Sequence, residues 1–130
     1  MSAAREAIST NAAPDAVGPY SQGIRAGNLV VTSAQMPADP ISGEIIRDDI
    51  GAATRRCLEN VRGILEAGGA GLNDVIKVTV YLADIADFEE MNEVYRVFFS
   101  GAPPARCCVQ VAALPKETRI GIEAIAALPS

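Results

Sequence analysis

Arg106 is a positively charged residue in a stretch of sequence that is otherwise apolar. It follows two prolines in PPARCCVQVAAL (103–114) and precedes a run that otherwise has the pattern of an apolar strand. A guanidinium stays protonated and presents a planar fork of donors, so at the start of a strand it either pairs with a local carboxylate or binds one from outside. Glu44 and Glu123 are candidate internal partners, and a small carboxylic acid is the external one.

The catalytic repertoire of the chain is narrow, because histidine is absent from all 130 residues. This removes the commonest general base and the commonest transition-metal ligand, which excludes a Ser-His or Cys-His nucleophile and makes a zinc site improbable. Cys57 and the adjacent Cys107 and Cys108 form no even, spaced framework, and neighbouring cysteines seldom bridge each other. We expect free thiols in a reducing compartment.

Charge and composition narrow the choice of partners. The net charge of −5 comes without any run of Lys or Arg, and three Phe, three Tyr and no Trp leave few platforms for stacking bases. The N-terminus lacks the apolar stretch of a secretory signal, and no run of about 18 apolar residues occurs elsewhere. We expect a cytoplasmic protein whose partners are small molecules or copies of itself, with no membrane contact and no general affinity for nucleic acid.

The elements that must position Arg106 follow from hydrophobic periodicity. A length of 130 residues with 49% hydrophobic residues predicts one domain, 1–130. β-branched runs predict strands, and apolar residues at helical spacing predict two helices, the second with a capping box at Asp87 and Glu90. The predicted strands cover 28–36, 75–83, 106–114 and 119–128. The first predicted helix begins at Asp48 and Asp49 and ends at Gly68-Gly69. The second begins at Asp87, and we assign its apolar stripe, which includes Phe88 and Tyr95, to the core. This order is typical of an α+β fold whose helices cover only one face of the sheet.

Several motifs together resemble the Rid family, the reactive intermediate deaminases, also called the YjgF family and, in older usage, endoribonuclease L-PSP or translation initiation inhibitor. They occur in the family's order over nearly the whole chain: VGPYSQG (17–23), SAQMP (33–37), SGE (42–44), the helix with Asn92 and Tyr95, PARCCVQVAALPK (104–116) and IEAIA (122–126). The PAR motif, a strand and IEAIA at this spacing form a specific signature.

The resemblance implies a chorismate-mutase-like α+β fold, a mixed sheet with two helices on one face, assembled as a homotrimer with sites between subunits. It implies hydrolysis of reactive 2-imino or enamino acids to 2-oxo acids and ammonia, without metal or cofactor. A homotrimer also fits the predicted layers, because a sheet covered by helices on one face leaves the other face for a partner.

The resemblance also assigns roles to individual residues. Arg106 would anchor the substrate carboxylate, and Cys108 would orient the attacking water through its backbone. Tyr20 would contribute a phenol, Ser33 a hydroxyl and Asn92 an amide. The residues themselves also allow a turn residue at Tyr20, a polar strand position at Ser33, a helix-surface residue at Asn92 and a small buried hydrophobe at Cys108.

Two positions depart from the family pattern. Active members usually carry an acid two places before the Glu of IEAIA, where this chain has Gly121, and a glycine where it has Ala34, whose methyl group would narrow the pocket. Glu123 is an unfavourable substitute because it lies about 6.6 Å from Gly121 along the same face of a strand. Another acid, such as Glu117, is a further possibility.

Three functions therefore follow as hypotheses. The first is an imine deaminase, since a labile imine needs little beyond positioning. The second is a trimer that binds small carboxylic or 2-oxo acids without turnover, because Gly121 is no acid. The third, an endoribonuclease, is disfavoured by the missing histidine and the negative net charge.

Overall fold

The chain folds into a six-stranded mixed sheet and two α-helices. The structure is a computed structural model that describes residues 4–129. The strand order is β1-β2-β3-β6-β4-β5, and β4 and β5 are parallel while every other pair is antiparallel. The elements are β1 (Glu6–Ile8), β2 (Gly23–Ala26), β3 (Leu29–Thr32), α1 (Ile50–Ala67), β4 (Val75–Leu82), α2 (Phe88–Phe98), β5 (Ala105–Gln110) and β6 (Ile120–Ala127). This architecture confirms the expected α+β fold and mixed sheet.

Helix α1 begins and ends where the sequence predicts. The Asp49 side chain accepts a hydrogen bond from the backbone N–H of Ala52 at 3.0 Å, and Gly68 caps the C-terminus. The predicted apolar stripe of this helix faces the sheet and forms the centre of the core. Its fully or almost fully buried members are Ile50, Cys57, Leu58, Val61, Ile64 and Leu65.

Helix α2 begins differently from the prediction. Asp87 makes no side-chain cap, so the expected capping box is wrong: its carboxylate instead accepts from Nη2 of Arg119 at 2.8 Å. The short 3₁₀ turn Ile85–Asp87 that precedes α2 is capped by Asp84, which accepts from the backbone N–H of Ala86 at 2.9 Å. The Asp87 carboxylate, which the sequence pattern predicted as the cap of α2, therefore forms a long-range ion pair with Arg119 instead.

The last predicted strands are shorter than expected and do not pair with each other. β5 ends at Gln110, and β6 lies between β3 and β4. Along β6 the even-numbered residues Ile120, Ile122, Ala124 and Ala126 are buried against the helices. The odd-numbered residues therefore point to the opposite, helix-free face.

Strands β1 and β2 were not predicted. They contain only three and four residues, and GIRA in β2 shows no clear alternation of apolar and polar residues. Tertiary packing selects the strand there: a Cβ on Gly23 would lie 2.6 Å from Cγ2 of Ile64 and 2.7 Å from the carbonyl oxygen of Val31. The close approach of a helix and a neighbouring strand requires glycine at this position.

The helix-free face of the sheet carries apolar side chains that one chain leaves open. Leu29, Val109 and Ile125 are 42%, 38% and 37% exposed on it. Within residues 4–129, no helix is long and apolar enough to cross a membrane.

Candidate functional site

Arg106 lies on the helix side of edge strand β5, where α2 holds its side chain. Nη1 donates to Oδ1 of Asn92 at 2.7 Å. The guanidinium carbon lies 4.6 Å from the centre of the Tyr95 ring and 5.4 Å from that of Phe88. One hydrogen bond and two aromatic rings therefore fix the plane of the guanidinium group.

The rest of this guanidinium is free within the described chain. No carboxylate of residues 4–129 forms an ion pair with Arg106, and Nε and Nη2 make no hydrogen bond there. The two glutamates that the sequence offered as internal partners do not pair with Arg106. Glu123 accepts a hydrogen bond from Tyr81, and Glu44 is exposed. A positioned fork with two unpaired donors is suited to a bidentate carboxylate.

Cys108 lies two residues after Arg106 on β5, and its backbone faces the open edge of the sheet. The N–H of Val111 donates to the carbonyl of Leu82, so the odd-numbered residues of β5 point their backbone groups toward β4. Backbone direction alternates along a strand, which leaves the N–H and C=O of Cys108 on the open edge. Its side chain packs against the core, and this burial raises the pKa of the thiol. The backbone of Cys108 can therefore bind a ligand or water, while its side chain packs as a hydrophobe.

Tyr20 and Ser33 lie together at a second place. Both line an open cleft of ≈ 580 Å³ beside β2 and β3. Ser33 Oγ donates to the carbonyl of Ser21 at 2.6 Å, and Tyr20, 50% exposed, accepts from the backbone N–H of Val17 at 3.4 Å. Ala34 is exposed next to Ser33. The Ser33 hydroxyl retains its acceptor lone pairs and the Tyr20 phenol retains its proton for a ligand.

The glutamine of the VGPYSQG motif has a structural role. Gln22 is 4% exposed, and its Nε2 lies 3.0, 3.1 and 2.7 Å from the carbonyl oxygens of Thr10, Ala13 and Pro14. Its Oε1 accepts from the backbone N–H of Thr10 at 2.7 Å. The side chain therefore anchors the N-terminal segment against the strand that carries the Tyr20 turn.

A single chain does not bring the Arg106 cluster and the Ser33 cluster together. Strands β6 and β4 separate β3 from β5, so the two clusters are about 14 Å apart across the sheet at about 4.8 Å per strand. Ser33 lies just past the end of β3 and lines the same cleft as Val31, which is on the helix-free face, whereas Arg106 projects to the helix side. A small ligand cannot touch both residues of one chain.

The space beside Gly121 is already filled. A Cβ at this position would lie 2.7 Å from Cε of Met36 and 3.4 Å from its sulfur. The Met36 sulfur also accepts a hydrogen bond from the Thr118 hydroxyl at 3.2 Å. A thioether therefore occupies the place next to the strand where the family pattern has the first atoms of an acid.

Sequence reasoning missed two members of the Arg106 cluster. Phe88 and Tyr95 were assigned to the core because aromatic residues at helical spacing usually pack there. Tyr95 is indeed 6% exposed, but its hydroxyl has no partner within the described residues, and both rings contact the guanidinium. Their spacing of seven residues, on the helix that carries Asn92, was the available signal.

Comparison with known proteins agrees with this architecture. The structure superposes on Escherichia coli TdcF, solved with bound serine, with a TM-score of 0.92 and 46% identity over 95% of this chain and 99% of that one. The fold is thus that of the YjgF/L-PSP class of α+β proteins.

The family model described as endoribonuclease L-PSP matches residues 10–128, and the chain belongs to this family, the Rid family. A RutC family protein of Pyrococcus abyssi is 52% identical over 95% of this chain and 97% of its own length. A Salmonella typhimurium protein named 2-iminobutanoate/2-iminopropanoate deaminase is 47% identical over 92% and 94%.

Proposed function

We propose that this protein hydrolyses reactive 2-imino acids to 2-oxo acids and ammonia, with the substrate carboxylate bound by Arg106. The observation that carries the proposal is the Nε and Nη2 edge of Arg106, to which no group of residues 4–129 is hydrogen-bonded, on a guanidinium whose Nη1 is already held by Asn92. A carboxylate bound to this edge is fixed in position and rotation, which places the adjacent imine carbon in one orientation. Relatives named 2-iminobutanoate/2-iminopropanoate deaminase support the reaction class.

The complete site requires more than one copy of the chain. Ser33 and Arg106 of one chain lie on opposite faces and three strands apart, so both serve one ligand only if neighbouring chains contribute them. The apolar helix-free face offers the surface for such contacts. A homotrimer with three sites between subunits, as the family resemblance implies, meets both requirements.

The reaction at this site needs few groups. The oxygen of water bonds to C2 of the protonated imine and releases a proton, and the C=N double bond becomes a C–N single bond. The amino nitrogen of this carbinolamine then takes up a proton, the C–N bond breaks, and the hydroxyl proton passes to the departing ammonia, which leaves a 2-oxo acid and ammonium. The open-edge carbonyl of Cys108 accepts a hydrogen bond from the attacking water, on the strand that also carries Arg106. Tyr20, Ser33 and Asn92 complete the binding surface, and the exposed methyl group of Ala34 limits its width.

The deciding experiment measures ammonia and 2-oxobutanoate released from an imine formed in place by an amino acid oxidase or a dehydratase. Wild type accelerates release over the blank, and Arg106→Ala loses about 10²-fold in kcat/KM, since charge-assisted hydrogen bonds contribute roughly 1.5–3 kcal/mol each. Arg96→Ala is the matched control, because Arg96 is exposed on the same helix layer and, among the residues that the structure describes, forms a side-chain hydrogen bond and ion pair with Glu93 alone. Wild type and Arg106→Ala both equal to the blank would refute the deaminase.

A second candidate is a protein that binds 2-oxo acids without turnover. The observation that favours it is the Met36 thioether beside Gly121, where the family pattern has an acid. Such a protein shows a thermal shift with 2-oxobutanoate that is lost in Arg106→Ala, and no release of ammonia above the blank.

The endoribonuclease of the family's older name is disfavoured. A chain without histidine and with a net charge of −5 offers neither the usual acid–base pair nor a basic surface for a phosphodiester backbone. RNA cleavage that persists through stringent repurification, and disappears in Arg106→Ala, would restore this function.

A further inference from the structure

Tyr81 and Glu123 form a hydrogen-bonded pair on the helix-free face of the sheet. The Tyr81 hydroxyl, on β4, donates to Oε1 of Glu123, on β6, at 3.1 Å. Both residues are half-buried, and neither belongs to the cluster around Arg106. This phenol–carboxylate pair lies on the same face as the partly exposed apolar residues Leu29, Val109 and Ile125.

The strand register places this pair beside Gly121. Tyr81 is directly opposite Gly121, and Glu123 is directly opposite Thr79, so the two side chains approach each other diagonally across β4 and β6. The spacing along β6 argued against Glu123 as a substitute for an acid at 121, but its carboxylate is hydrogen-bonded to Tyr81, the residue directly opposite Gly121, and this contact links it to the vacant position.

The same register places Glu123 next to the Ser33 cluster. Val31 of β3 is paired with Ile125 of β6, and the pairing resumes at the isolated bridge between Gln35 and Ile122. Because the first strand has one residue more than β6 between these two pairs, Ser33 lies in a bulge opposite the part of β6 that contains Glu123. The strands remain adjacent there, since the backbone N–H of Ala124 donates to the Thr32 hydroxyl at 3.1 Å. Tyr81 and Glu123 thus lie on adjacent strands, and Ser33, which lines the same cleft as Tyr20, follows the strand on the other side of β6.

The Tyr81 phenol remains a donor to this carboxylate. Burial raises the pKa of Tyr81, and its hydrogen bond to Glu123 and the negative charge of that residue raise it further. The phenol therefore stays protonated at neutral pH, and Glu123 is held in one orientation with its second oxygen free within the described residues.

We propose that Glu123, positioned by Tyr81, is the acid–base group of the imine hydrolysis, in place of the acid that the chain lacks at Gly121. This inference rests on the proposed deaminase function and names the group that function needs. Glu123 is the catalytic residue here because it contacts the water, and Tyr81 is a positioning residue.

The proton transfers balance as follows. The Glu123 carboxylate takes a proton from water as the water oxygen bonds to C2 of the iminium acid, which gives a neutral carbinolamine and a protonated Glu123. Glu123 then returns this proton to the amino nitrogen, the C–N bond breaks, and ammonia carries away the hydroxyl proton as ammonium. The sum is one iminium acid and one water to one 2-oxo acid and one ammonium ion, with Glu123 again a carboxylate.

The test compares kcat and KM of wild type with those of Glu123→Gln and Tyr81→Phe in the imine assay, with 2-oxobutanoate thermal shift as the binding readout. Glu123→Gln keeps the partner for the Tyr81 hydroxyl but cannot accept a proton, so kcat falls by about 10²-fold, the lower range for general acid–base catalysis, while KM and the shift stay within twofold of wild type. Tyr81→Phe lowers kcat about tenfold, and its KM and thermal shift also stay within twofold of wild type. Glu66→Gln, at an exposed position of α1, controls for the lost charge.

A rescue experiment separates catalysis from a structural role. Glu123→Ala leaves room for formate. If the Glu123 carboxylate acts on water, formate raises the kcat of this variant at least tenfold. Gly121→Glu in the Glu123→Gln background also restores turnover, since it returns an acid to the same face.

The outcomes that overturn the inference are distinct from failure of the proposed function. An active wild type with unchanged kcat in Glu123→Gln overturns the inference alone, as does a loss confined to Glu117→Gln. A loss in Glu123→Gln that comes with a lost thermal shift, and no formate rescue of Glu123→Ala, assigns Glu123 to structure and overturns the inference too. A wild type equal to the blank refutes the deaminase itself.

Discussion

Oδ1 of Asn92 accepts a hydrogen bond from Nη1 of Arg106 at 2.7 Å, across the gap between helix α2 and edge strand β5. This contact orients the guanidinium without neutralising it, because an amide carries no charge. The arginine therefore keeps both its orientation and its full attraction for a carboxylate.

Asn92→Asp tests this division of roles. A carboxylate at position 92 would pair with Arg106 inside the chain, so a ligand carboxylate must compete with it, and the Kd for 2-oxobutanoate rises about tenfold or more. Asn92→Ala removes only the orientation and raises Kd by a smaller factor. Calorimetric titration measures both, with Asn73→Asp at an exposed site as the charge control. An unchanged Kd in Asn92→Asp would contradict the role of a free arginine.

Ile125→Asp tests whether copies of the chain cover the helix-free face. Ile125 lies on central strand β6 and is 37% exposed on that face. Burial of a carboxylate in an apolar contact is costly, so the variant dissociates from three chains of 13.6 kDa each to one, and turnover falls with it. Sedimentation velocity measures the mass. Ile41→Asp, 85% exposed and outside the sheet, keeps the wild-type mass. A wild type that sediments as a monomer would refute the assembly.

Gly63→Ala and Gly121→Ala should differ in their effect on the free energy of unfolding. A Cβ on Gly63 would lie 2.8 Å from both Cβ and the carbonyl oxygen of Ala12, in a segment that Gln22 holds by hydrogen bonds to the flanking carbonyls of Thr10 and Ala13. A Cβ on Gly121 would meet the flexible end of Met36. We expect a loss of about 2 kcal/mol for Gly63→Ala and under about 1 kcal/mol for Gly121→Ala, measured by urea unfolding. The reverse order would show that Met36 is not free to shift.

Cys57 makes the free energy of unfolding depend on alkaline pH. The thiol is fully buried in α1, and its burial raises its pKa well above the ordinary 9.0. Above pH 9 the unfolded chain releases this proton while the folded chain retains it, so stability is full below pH 9 and falls as pH rises, by up to about 1.4 kcal/mol per unit.

The comparison of three proteins between pH 8 and 10.5 isolates the contribution of this thiol. Cys57→Ala unfolds at lower urea concentration at pH 8 but loses stability less steeply than wild type as pH rises. Val61→Ala, a buried deletion without a titratable group, keeps the steeper slope. Equal slopes in wild type and Cys57→Ala would contradict the assignment.

The sequence predicted those helices and strands whose own residues show a clear hydrophobic pattern and clear end residues. Helix α1 was predicted from its apolar stripe, from Asp48 and Asp49 at its start and from Gly68 at its end, and β4 was predicted from its β-branched run. The short strands β1 and β2 were missed because their pairing partners, and the close approach of Ile64 to Gly23, lie far away in the sequence. The capping box at Asp87 failed for the same reason, since Arg119 is 32 residues away.

The candidate site divides in the same way. By itself the sequence determined that Arg106 is a charge that pairs with an internal carboxylate or binds one from outside, that the chain has no histidine, and that its motifs resemble those of the Rid family. Only the tertiary structure decided that Asn92, Phe88 and Tyr95 hold the guanidinium while leaving two of its nitrogens free, and that Tyr81 holds Glu123 beside Gly121. The physical reason is that residue type sets what a side chain can bond to, whereas strand order and register set which partners come within hydrogen-bonding distance.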